Sequence, residues 1–413
     1  MTSSQVIISG GGIGGVGAAL MLGRRGISVT LLEREPEFAE GGYGLQLGPN
    51  IIRMLREEDV FEAVAPRAVF PKRLVFRSAT TGEELNWLSC EDMERRYGAR
   101  YAVLHRGDLL AALVDAARAT GNVTLVNSAE VVAYEDTGDE VTVTTEDGRE
   151  FAGQILVGAD GIHSRLRHAF VDEATDQVQP TGYCAYRGTI PIDTVGPGLD
   201  LESVTVWFGP GLHLVQYPLR DGKELNQVAV FRSPAYERGE GQWGTAEELL
   251  ERFSSADGLH PSVARAPHGL GMSRGWPMVD RRPLDTYVRG RVALLGDAAH
   301  PMLQYLAQGA GQSLLDGAAL AAQLAPNAAV ATWSSNDVAT AFAAYDAERV
   351  PNATLAQNTS RWWGEMWHVA EPGAVMIRDE GFRLVDRYDY KYIDWLYGPV
   401  LGEAPVLSAT GGS

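Results

Sequence analysis

The feature that most constrains this chain is a glycine-rich loop near its start, placed between a predicted strand and a predicted helix. The β-branched stretch 5–9 predicts the strand, and the stretch 18–25 predicts the helix. Between them stand Gly10, Gly12 and Gly15 in the spacing G-x-G-x-x-G. Glycines at these positions let the backbone approach the pyrophosphate of a dinucleotide, which the start of the helix attracts. The stretch therefore predicts the first unit of a parallel α/β sheet.

An acidic residue stands where this interpretation needs one. The second predicted strand, Ile27 to Leu32, ends at Glu33, about 20 residues beyond the glycines. A carboxylate at this point accepts hydrogen bonds from the ribose hydroxyls of the adenosine. A glycine motif alone is a weak signal, and a chance glycine-rich turn is the alternative. The strand, the helix and the acid together favour dinucleotide binding.

A second part of a ligand site is predicted between residues 291 and 316. Val292 to Leu295 predicts a buried strand, and Asp297 follows at its carboxyl end, where open α/β sheets bind ligands. Gly309 to Gln312 precedes a helix predicted from Ser313, and the N-terminus of a helix favours an anion. For this stretch alone, an ordinary strand, turn and helix is the alternative interpretation.

Two further segments carry side chains that suit a bound cofactor. Arg106 opens a predicted helix, where it would pair with a phosphate or bond to central hydroxyls; the alternative is a solvated charge. Asp160 follows the predicted buried strand Gln154 to Val157, and Ser164 is a plausible cap for a helix after it.

The middle of the chain, from 181 to 271, is rich in predicted strands and predicts a second sheet. Alternation along the strand 211–218 places His213, Val215 and Tyr217 on one face. A phenol with a pKa near 10 is only about one part in a thousand ionised at pH 7, and an imidazole is able to take its proton. The alternative is a structural histidine that is hydrogen-bonded inside the sheet.

The glycine loop, Asp160-Gly161 and Gly296-Asp297 stand in one order along the chain. Together they resemble the single-component class A flavoprotein aromatic hydroxylases, which have the p-hydroxybenzoate hydroxylase fold. The resemblance spans nearly the whole chain and implies FAD as a non-covalent cofactor. By this analogy the cofactor-binding residues are Gly10, Gly12, Gly15, Glu33, Arg106, Asp160, Asp297, Gly309 and Ala310.

Several segments narrow the resemblance within this family. The aromatic tail at 362–368 and 390–398, the strand 212–219 and the loop 302–310 resemble 3-hydroxybenzoate 6-hydroxylases. Ala310 to Gln312 is instead closer to the general pattern of salicylate hydroxylases. The aromatic rings of the tail are expected to pack, either over the cofactor domain or in a dimer interface, and we expect a homodimer.

The resemblance implies a monooxygenase that uses FAD, NADH and O2 to hydroxylate a small phenolic acid. The single best expectation is conversion of 3-hydroxybenzoate to 2,5-dihydroxybenzoate (gentisate), by attack of a flavin C4a-hydroperoxide para to the phenol. His213, Gln304 and Tyr217 are the expected catalytic residues, and with Val215 they contact the substrate. The Gln304 amide would donate to a carboxylate or accept from a phenol, unless it is a turn residue that faces water.

Three alternatives remain for the function. A salicylate 1-hydroxylase would release CO2 and form catechol, and a hydroxylase of larger phenols or polyketides would need a larger pocket. A flavin-binding module without oxygenase chemistry would show no substrate-stimulated NADH oxidation. No second dinucleotide motif is found for the nicotinamide, so reduction would need the flavin to swing outward, which the glycines of 41–48 suit.

The expected fold class is α/β with an α+β substrate region: a Rossmann-like FAD-binding domain, an inserted β-sheet substrate domain and a C-terminal helical tail. The FAD-binding domain is predicted from three segments of the chain, which are 1–72, 101–178 and 276–350. The substrate domain is predicted from a hairpin at 73–100 and from 179–275, and the helical, aromatic tail from 351–413.

The composition excludes several other classes of protein. The 413 residues are 45% hydrophobic, which is ample for a large core. A net charge of −18 disfavours nucleic acid as a partner and gives no basic patch for anionic lipid. Two cysteines, Cys90 and Cys184, form no disulfide framework and lack metal-ligand spacing, so no metal is expected. Without a predicted signal peptide or membrane span, a cytoplasmic location is expected.

Overall fold

The computed structural model describes residues 3–39, 41–171, 176–195, 199–254, 258–270 and 274–400, and it has a mixed α/β fold. Its strands are β1 (Ser3–Ser9), β2 (Val29–Leu32), β3 (Gly44–Leu47), β4 (Arg73–Ser78), β5 (Glu84–Ser89), β6 (Ala102–His105), β7 (Val123–Val126), β8 (Val131–Asp136), β9 (Val141–Thr145), β10 (Glu150–Gly158), β11 (Gln179–Pro191), β12 (Ser203–Gly209), β13 (Leu212–Leu219), β14 (Glu224–Arg232), β15 (Trp276–Asp280), β16 (Val288–Arg289) and β17 (Val292–Leu294). Its α-helices are α1 (Ile13–Arg24), α2 (Pro49–Glu57), α3 (Phe61–Val64), α4 (Cys90–Tyr97), α5 (Arg106–Ala119), α6 (Pro234–Glu237), α7 (Ala246–Arg252), α8 (Pro261–Ala264), α9 (Gly309–Leu324), α10 (Ser335–Trp367), α11 (Pro372–Leu384) and α12 (Asp394–Tyr397).

The first sheet has a parallel centre in the order β17, β10, β1, β2, β7, with β16 antiparallel at one edge. Its central strands are fully buried apolar runs because helices cover the sheet, as parallel sheets require. Helices α1 and α9 pack closely: a Cβ on Gly17 would lie 2.4 Å from the Leu314 side chain. This packing brings the starts of both helices to the carboxyl edge of the sheet.

The predicted antiparallel meander at 123–125, 131–135 and 141–145 is wrong in its first strand. β7 pairs parallel to β2, with Val29 opposite Val123, whereas the antiparallel ribbon consists of β8, β9 and the first half of β10. The physical reason is the helix α5, which precedes β7 and returns the chain across the sheet so that a parallel pairing forms.

Three predicted helix boundaries also differ from the structure. The helix predicted at 50–65 is broken between α2 and α3, where Asp59 adopts the left-handed region with φ 46°. The helix predicted from Ser313 begins four residues earlier, at Gly309, so that the glycines form its first turn. The helix predicted after Ser164 is only a short 3-10 turn, Leu166–Ala169. The Ser164 hydroxyl accepts from the Arg167 N–H of this turn at 3.0 Å.

The second sheet has seven strands in the order β15, β11, β14, β13, β12, β4, β5. The hairpin predicted between Arg73 and Leu88 is present as β4 and β5, and β4 joins this sheet by parallel pairing with β12. A short ribbon of β3 and β6 lies beside it, and β13 contacts β6. The second sheet therefore lies beside the β3–β6 ribbon, and β3 of that ribbon follows β2 of the first sheet along the chain.

The C-terminal segment packs against the second sheet and the helices beside it. Asn86 of β5 donates to the carbonyl of Phe382 at 2.6 Å, and Arg53 of α2 donates to the carbonyl of Gly398 at 2.6 Å. Arg96 of α4 forms a paired contact with Asp394 at 2.5 and 2.6 Å. Helix α10 runs without interruption through the predicted domain boundary at 350/351. The domain division itself stays a prediction.

Candidate active site

A cavity of about 610 Å³ lies where the carboxyl ends of β1, β10 and β17 meet the second sheet and the C-terminal tail. Its walls combine glycine loops and polar side chains from the first sheet with mainly apolar side chains from the second. Such a cleft with a few convergent polar groups is typical of a ligand or cofactor site.

The glycine loop forms one wall and has no room for larger residues. Gly10 has φ +112°, and a Cβ there would lie 2.2 Å from the carbonyl oxygen of Ala159. A Cβ on Gly15 would lie 1.9 Å from the carbonyl oxygen of Gly10. Both glycines are therefore needed for the loop to pass between β1 and the segment after β10. Gly12 lines the cavity directly and precedes helix α1.

Glu33 lies at the carboxyl end of β2, beside this loop. Its carboxylate accepts from the N–H of Gly11 at 2.5 Å and from the N–H of Glu35 at 2.9 Å. The side chain is thereby held at the mouth of the loop, where sequence analysis predicts a partner for the ribose hydroxyls.

The turn after β17 and the start of α9 form the opposite wall. Asp297 is exposed to the cavity, and loss of hydration raises the pKa of its carboxyl group although Arg106 and His300 lower it. Gly309 and Ala310 line the cavity in the first turn of α9. No side chain caps this helix start, so its amide groups and its dipole are directed at the cavity wall.

The Asp160 side chain is beside the cavity rather than in its wall, which its neighbours Ala159 and Gly161 form. Its Oδ2 accepts from the N–H of Arg165 at 3.0 Å, and burial raises the pKa of its carboxyl group. Its Oδ1 is buried and has no hydrogen-bond partner within the described part of the chain. Asp160 therefore shapes this turn and keeps one acceptor unused.

A buried ionic cluster supports the Asp297 turn from behind. Asp316 of α9 is fully buried and accepts from the N–H of Gly296 at 2.8 Å. It also contacts His300 at 2.5 Å and Arg349 of α10 at 2.7 Å. Burial alone would raise the pKa of the Asp316 carboxyl group, but these two partners outweigh it and lower the pKa to about 2. The cluster joins the turn, α9 and α10.

The second sheet supplies the other half of the cavity. His213, Val215 and Tyr217 of β13 all line it, as does Gln304 from the loop before α9. Strand alternation predicts that the three β13 side chains share one face, and the structure shows that this face is directed at the cavity. Burial raises the pKa of the Tyr217 phenol, so this group stays protonated at neutral pH.

His213 is buried and hydrogen-bonded to a second histidine. Its Nδ1 lies 2.8 Å from Nε2 of His368, which follows α10. Loss of hydration lowers the pKa of His213 well below the ordinary value, with smaller contributions from His368 and Arg187. Loss of hydration also lowers the pKa of His368 to about 3. Both imidazoles are therefore neutral at neutral pH.

Gln304 is oriented by Arg187, which is partly buried. Its Oε1 accepts from the guanidinium of Arg187, a residue of β11 that also lines the cavity and lies 5.6 Å from the ring centre of Tyr43. Nε2 of Gln304 and Nε of Arg187 are buried and have no hydrogen-bond partner among the described residues. The Gln304 amide consequently presents a donor, not an acceptor, to a ligand.

The aromatic tail completes the apolar wall. Trp363 and Trp367 of α10 and Tyr392, Trp395 and Tyr397 of the last segment line the cavity. These rings were expected either over the cofactor domain or in a dimer interface. The structure places them against the second sheet and the cavity. Whether they also form a dimer interface stays a prediction.

Comparison with known proteins decides the family. The model of the FAD binding domain family matches residues 3–360 of this chain. The chain is 36% identical over 397 residues to a 3-hydroxybenzoate 6-hydroxylase from Polaromonas naphthalenivorans, covering 95% of each protein. This chain belongs to the class A flavoprotein aromatic hydroxylases. Like the rest of this family, it is an FAD-dependent monooxygenase.

Solved structures of these flavoprotein hydroxylases share the fold. A variant of Klebsiella pneumoniae HpxO with one substitution, in complex with FAD, is 25% identical with a TM-score of 0.81, covering 96% of this chain and 99% of that one. A salicylate hydroxylase in a substrate complex is 25% identical with a TM-score of 0.77, covering 96% and 95%.

The cavity of this hydroxylase fits FAD on its own geometry. Gly12 and Gly15 line the cavity with backbone alone, the start of α9 suits an electron-rich ring edge, and Asp297 is able to accept from hydroxyl groups. Among the described residues, no helix is both long and apolar enough to cross a membrane, and no three potential ligand side chains meet as a metal site.

Sequence reasoning missed three residues that shape the site: Arg187, Asp316 and His368. Arg187 stands within the short stretch Tyr186-Arg187-Gly188. An arginine in an apolar strand indicates that its side chain packs beside a polar partner. The roles of Asp316 and His368 depend on partners distant in sequence, and no local pattern marks them.

Proposed function

We propose that this flavoprotein hydroxylates 3-hydroxybenzoate to gentisate with NADH and O2. The observation that carries the proposal is the pair Arg187 and Gln304, whose unused buried donors lie in the same cavity as the neutral imidazole of His213. A buried donor without a partner costs about 1–3 kcal/mol, which a suitable ligand recovers. The cavity thus offers a site for a carboxylate and a site for a phenol.

The carboxylate of the substrate is assigned to Arg187 and Gln304. Nε of Arg187 and Nε2 of Gln304 both carry protons, and a carboxylate accepts from both at once. The guanidinium keeps its charge although burial lowers its pKa. An anionic substrate therefore compensates a partly buried cation, and we expect benzoates to bind better than neutral phenols.

The phenol of the substrate is assigned to His213, with Tyr217 beside it. Neutral His213 is able to accept the phenol proton, and ionisation makes the ring electron-rich, as electrophilic hydroxylation needs. Protonated Tyr217 is able to donate to the oxygen that becomes negative. Val215 packs between them on the same strand face.

FAD, when bound, would supply reducing equivalents, taken from NADH, and the activation of O2. The residues that would hold it are the glycines at 10, 12 and 15 with Glu33, Arg106, Asp160, Asp297, Gly309 and Ala310. The protein orients the ring of the substrate, excludes water through the aromatic tail and holds the proton of the phenol at His213.

Salicylate is the second candidate substrate. It is favoured by the sequence pattern Ala310-Gly311-Gln312 and by the similarity to a salicylate hydroxylase structure. The ranking rests on the relatives: 3-hydroxybenzoate 6-hydroxylases are 35–36% identical over at least 95% of this chain, whereas the salicylate hydroxylase structure is 25% identical. We therefore rank 3-hydroxybenzoate first.

The test is the oxidation of NADH by the FAD-loaded protein with each acid, followed by chromatography of the products. Strong stimulation by 3-hydroxybenzoate with gentisate as product supports the proposal. Catechol from salicylate would replace it with the second candidate, and no stimulation by either acid would reject both.

A further inference from the structure

His213 lines the cavity and meets a second imidazole, that of His368, which has no role in the function proposed above. His213 and His368 are 1% and 5% exposed, and their facing nitrogens Nδ1 and Nε2 are 2.8 Å apart. The carbonyl of His368 accepts from the N–H of Gly211 at 3.1 Å, which ties the end of α10 to the start of β13. Its ring also stacks on Tyr183, with centres 4.4 Å apart and planes inclined by 20°. His368 is therefore held in place on several sides.

The short contact between two neutral imidazoles requires one donor and one acceptor. A neutral imidazole carries a proton on one nitrogen and a lone pair on the other. If Nδ1 of His213 donates, its Nε2 keeps a lone pair and is able to accept a proton from a ligand. If Nε2 of His368 donates, Nε2 of His213 already carries a proton and is only a donor. The direction of this single hydrogen bond decides whether His213 is able to act as a base.

We propose that His368 is a positioning residue for hydroxylation, which accepts the Nδ1 proton of His213 and so keeps the Nε2 lone pair of His213 available to the phenol of the substrate. The proposal rests on the proposed function, because it assumes a phenolic substrate beside His213. His368 is placed for this part, because its ring is stacked between Tyr183 and His213 and its Nε2 is held 2.8 Å from Nδ1 of His213.

The proton step is balanced without a further reactant. The O–H bond of the phenol breaks and its proton joins Nε2 of His213, giving a phenolate and an imidazolium. The attraction between these two charges opposes the loss of hydration that lowers the pKa of His213. The hydrogen bond from Nδ1 of His213 to Nε2 of His368 then has a charged donor, and such bonds are roughly twice as strong as neutral ones. No electron transfer is involved, and the proton remains on His213 until the phenol is formed again.

Two substitutions of His368 separate this role from packing. His368→Phe keeps an aromatic ring to stack on Tyr183 but removes the acceptor, whereas His368→Gln replaces the ring by a side chain that retains an acceptor oxygen. The matched control is His260→Phe, because His260 stacks on Trp207 of the same sheet, with ring centres 5.6 Å apart, and does not line the cavity.

The experiment measures the ultraviolet difference spectrum of 3-hydroxybenzoate bound to each FAD-loaded protein, which reports the fraction bound as phenolate. We expect His368→Phe to lower the phenolate fraction and to slow hydroxylation by about 10- to 100-fold, in proportion to one lost charge-assisted hydrogen bond. His368→Gln should retain most of both signals, and His260→Phe should match the wild type. Equal phenolate fractions in His368→Phe and wild type would overturn the proposal.

A measurement on the wild type covers the case in which His368→Phe fails to load FAD. Nitrogen-15 NMR of histidine-labelled protein, with His213→Asn to assign the signals, distinguishes a protonated Nδ1 from a protonated Nε2. A proton on Nδ1 of His213 supports the proposal, and a proton on Nε2 overturns it. If the wild type binds no 3-hydroxybenzoate at all, the proposed function fails and this inference fails with it, whereas a phenolate signal that is independent of His368 rejects only the inference.

Discussion

At the scale of single residues, the cavity pairs a neutral base with a charged anchor. His213 forms no ion pair within the described ranges and is neutral, whereas Arg187 keeps its charge and is bonded to Gln304. The two ends of a hydroxybenzoate differ in the same way, since its carboxylate is charged and its phenol is neutral in water. The arrangement therefore fixes which end of the substrate goes where.

Replacing His213 tests the base directly. We expect His213→Asn to retain FAD, because His213 lies in the substrate sheet, and to slow hydroxylation by about 10²- to 10⁴-fold, the usual loss for an acid–base group. Single-turnover kinetics with FAD content measured in parallel make the check. Unchanged turnover and unchanged coupling to NADH oxidation would remove His213 from the mechanism.

Gln304 tests the carboxylate site. Gln304→Glu would place a negative charge beside Arg187 and neutralise the anchor, so the Kd for 3-hydroxybenzoate should rise by about 10- to 100-fold. Gln304→Leu, the matched uncharged change, should weaken binding less and release more peroxide per NADH. Similar Kd values for both variants and the wild type, from flavin absorbance titrations, would argue against contact with the carboxylate.

The residues that were predictable are those marked by a local pattern. Strand alternation was sufficient to place His213, Val215 and Tyr217 on one face, because the period of a strand is local. His368 lies 155 residues from His213, and Arg187 lies 117 residues from Gln304. No spacing rule connects such pairs, since only the tertiary fold brings them together.

At the scale of elements, the cofactor site depends on loops that enter helices at the edge of one sheet. The buried strands before Gly10, Asp160 and Asp297 were predictable because each motif combines a buried strand with a turn. The start of α9 at Gly309 was not predictable, because glycines favour loops in isolation. They become helical here through the contact of α9 with α1. Tertiary packing also determines that β7 pairs in the parallel sheet.

Gly15 tests the glycine loop. Gly15→Ala forces a Cβ to within 1.9 Å of the Gly10 carbonyl oxygen, so the loop must shift, and we expect loss of FAD during purification. The matched control is Gly373→Ala in α11, where an added Cβ meets nothing within 4 Å. FAD absorbance per protein makes the comparison, and full FAD content in Gly15→Ala would contradict the proposed position of the pyrophosphate.

Asp316 tests the support of the Asp297 turn. Its pKa of about 2 in the folded protein lies below the ordinary value near 3.9, so its charge stabilises the fold above about pH 4 and this contribution is lost as the pH falls toward 2. At pH 7, Asp316→Asn should lower the free energy of unfolding by roughly 3–5 kcal/mol, because it leaves His300 and Arg349 buried without their partner.

Urea unfolding followed by flavin fluorescence at several pH values gives the comparison. The difference in stability between wild type and Asp316→Asn should narrow between about pH 4 and pH 2. A difference that stays constant across this range would show that the Asp316 charge does not hold the turn.

At the scale of the whole molecule, the C-terminal tail closes a cavity that the two sheets leave open. Its aromatic residues were predicted from the sequence to be packing residues. The surface they cover was not predictable, because apolar contacts are not directional and do not specify a partner. Arg96 of α4 fixes this tail by its paired contact with Asp394. The expected homodimer stays a prediction.

Arg96 tests whether closure protects the reaction from water. We expect Arg96→Ala to keep FAD and to raise peroxide release per NADH several-fold, because a loosened tail admits water to the reacting flavin. The matched control is Arg95→Ala on the same helix, since Arg95 is exposed and pairs with the nearby Asp92 of α4. Equal peroxide release from both variants would place the function of the tail elsewhere.

The most direct test of the central claim is a reaction of the FAD-loaded protein with 3-hydroxybenzoate, NADH and ¹⁸O₂, followed by mass spectrometry and NMR of the product. The account predicts 2,5-dihydroxybenzoate that carries one ¹⁸O atom at the new hydroxyl group, formed in proportion to the NADH consumed. A hydroxyl at another ring position, a decarboxylated product, or NADH oxidation that yields only peroxide would contradict it.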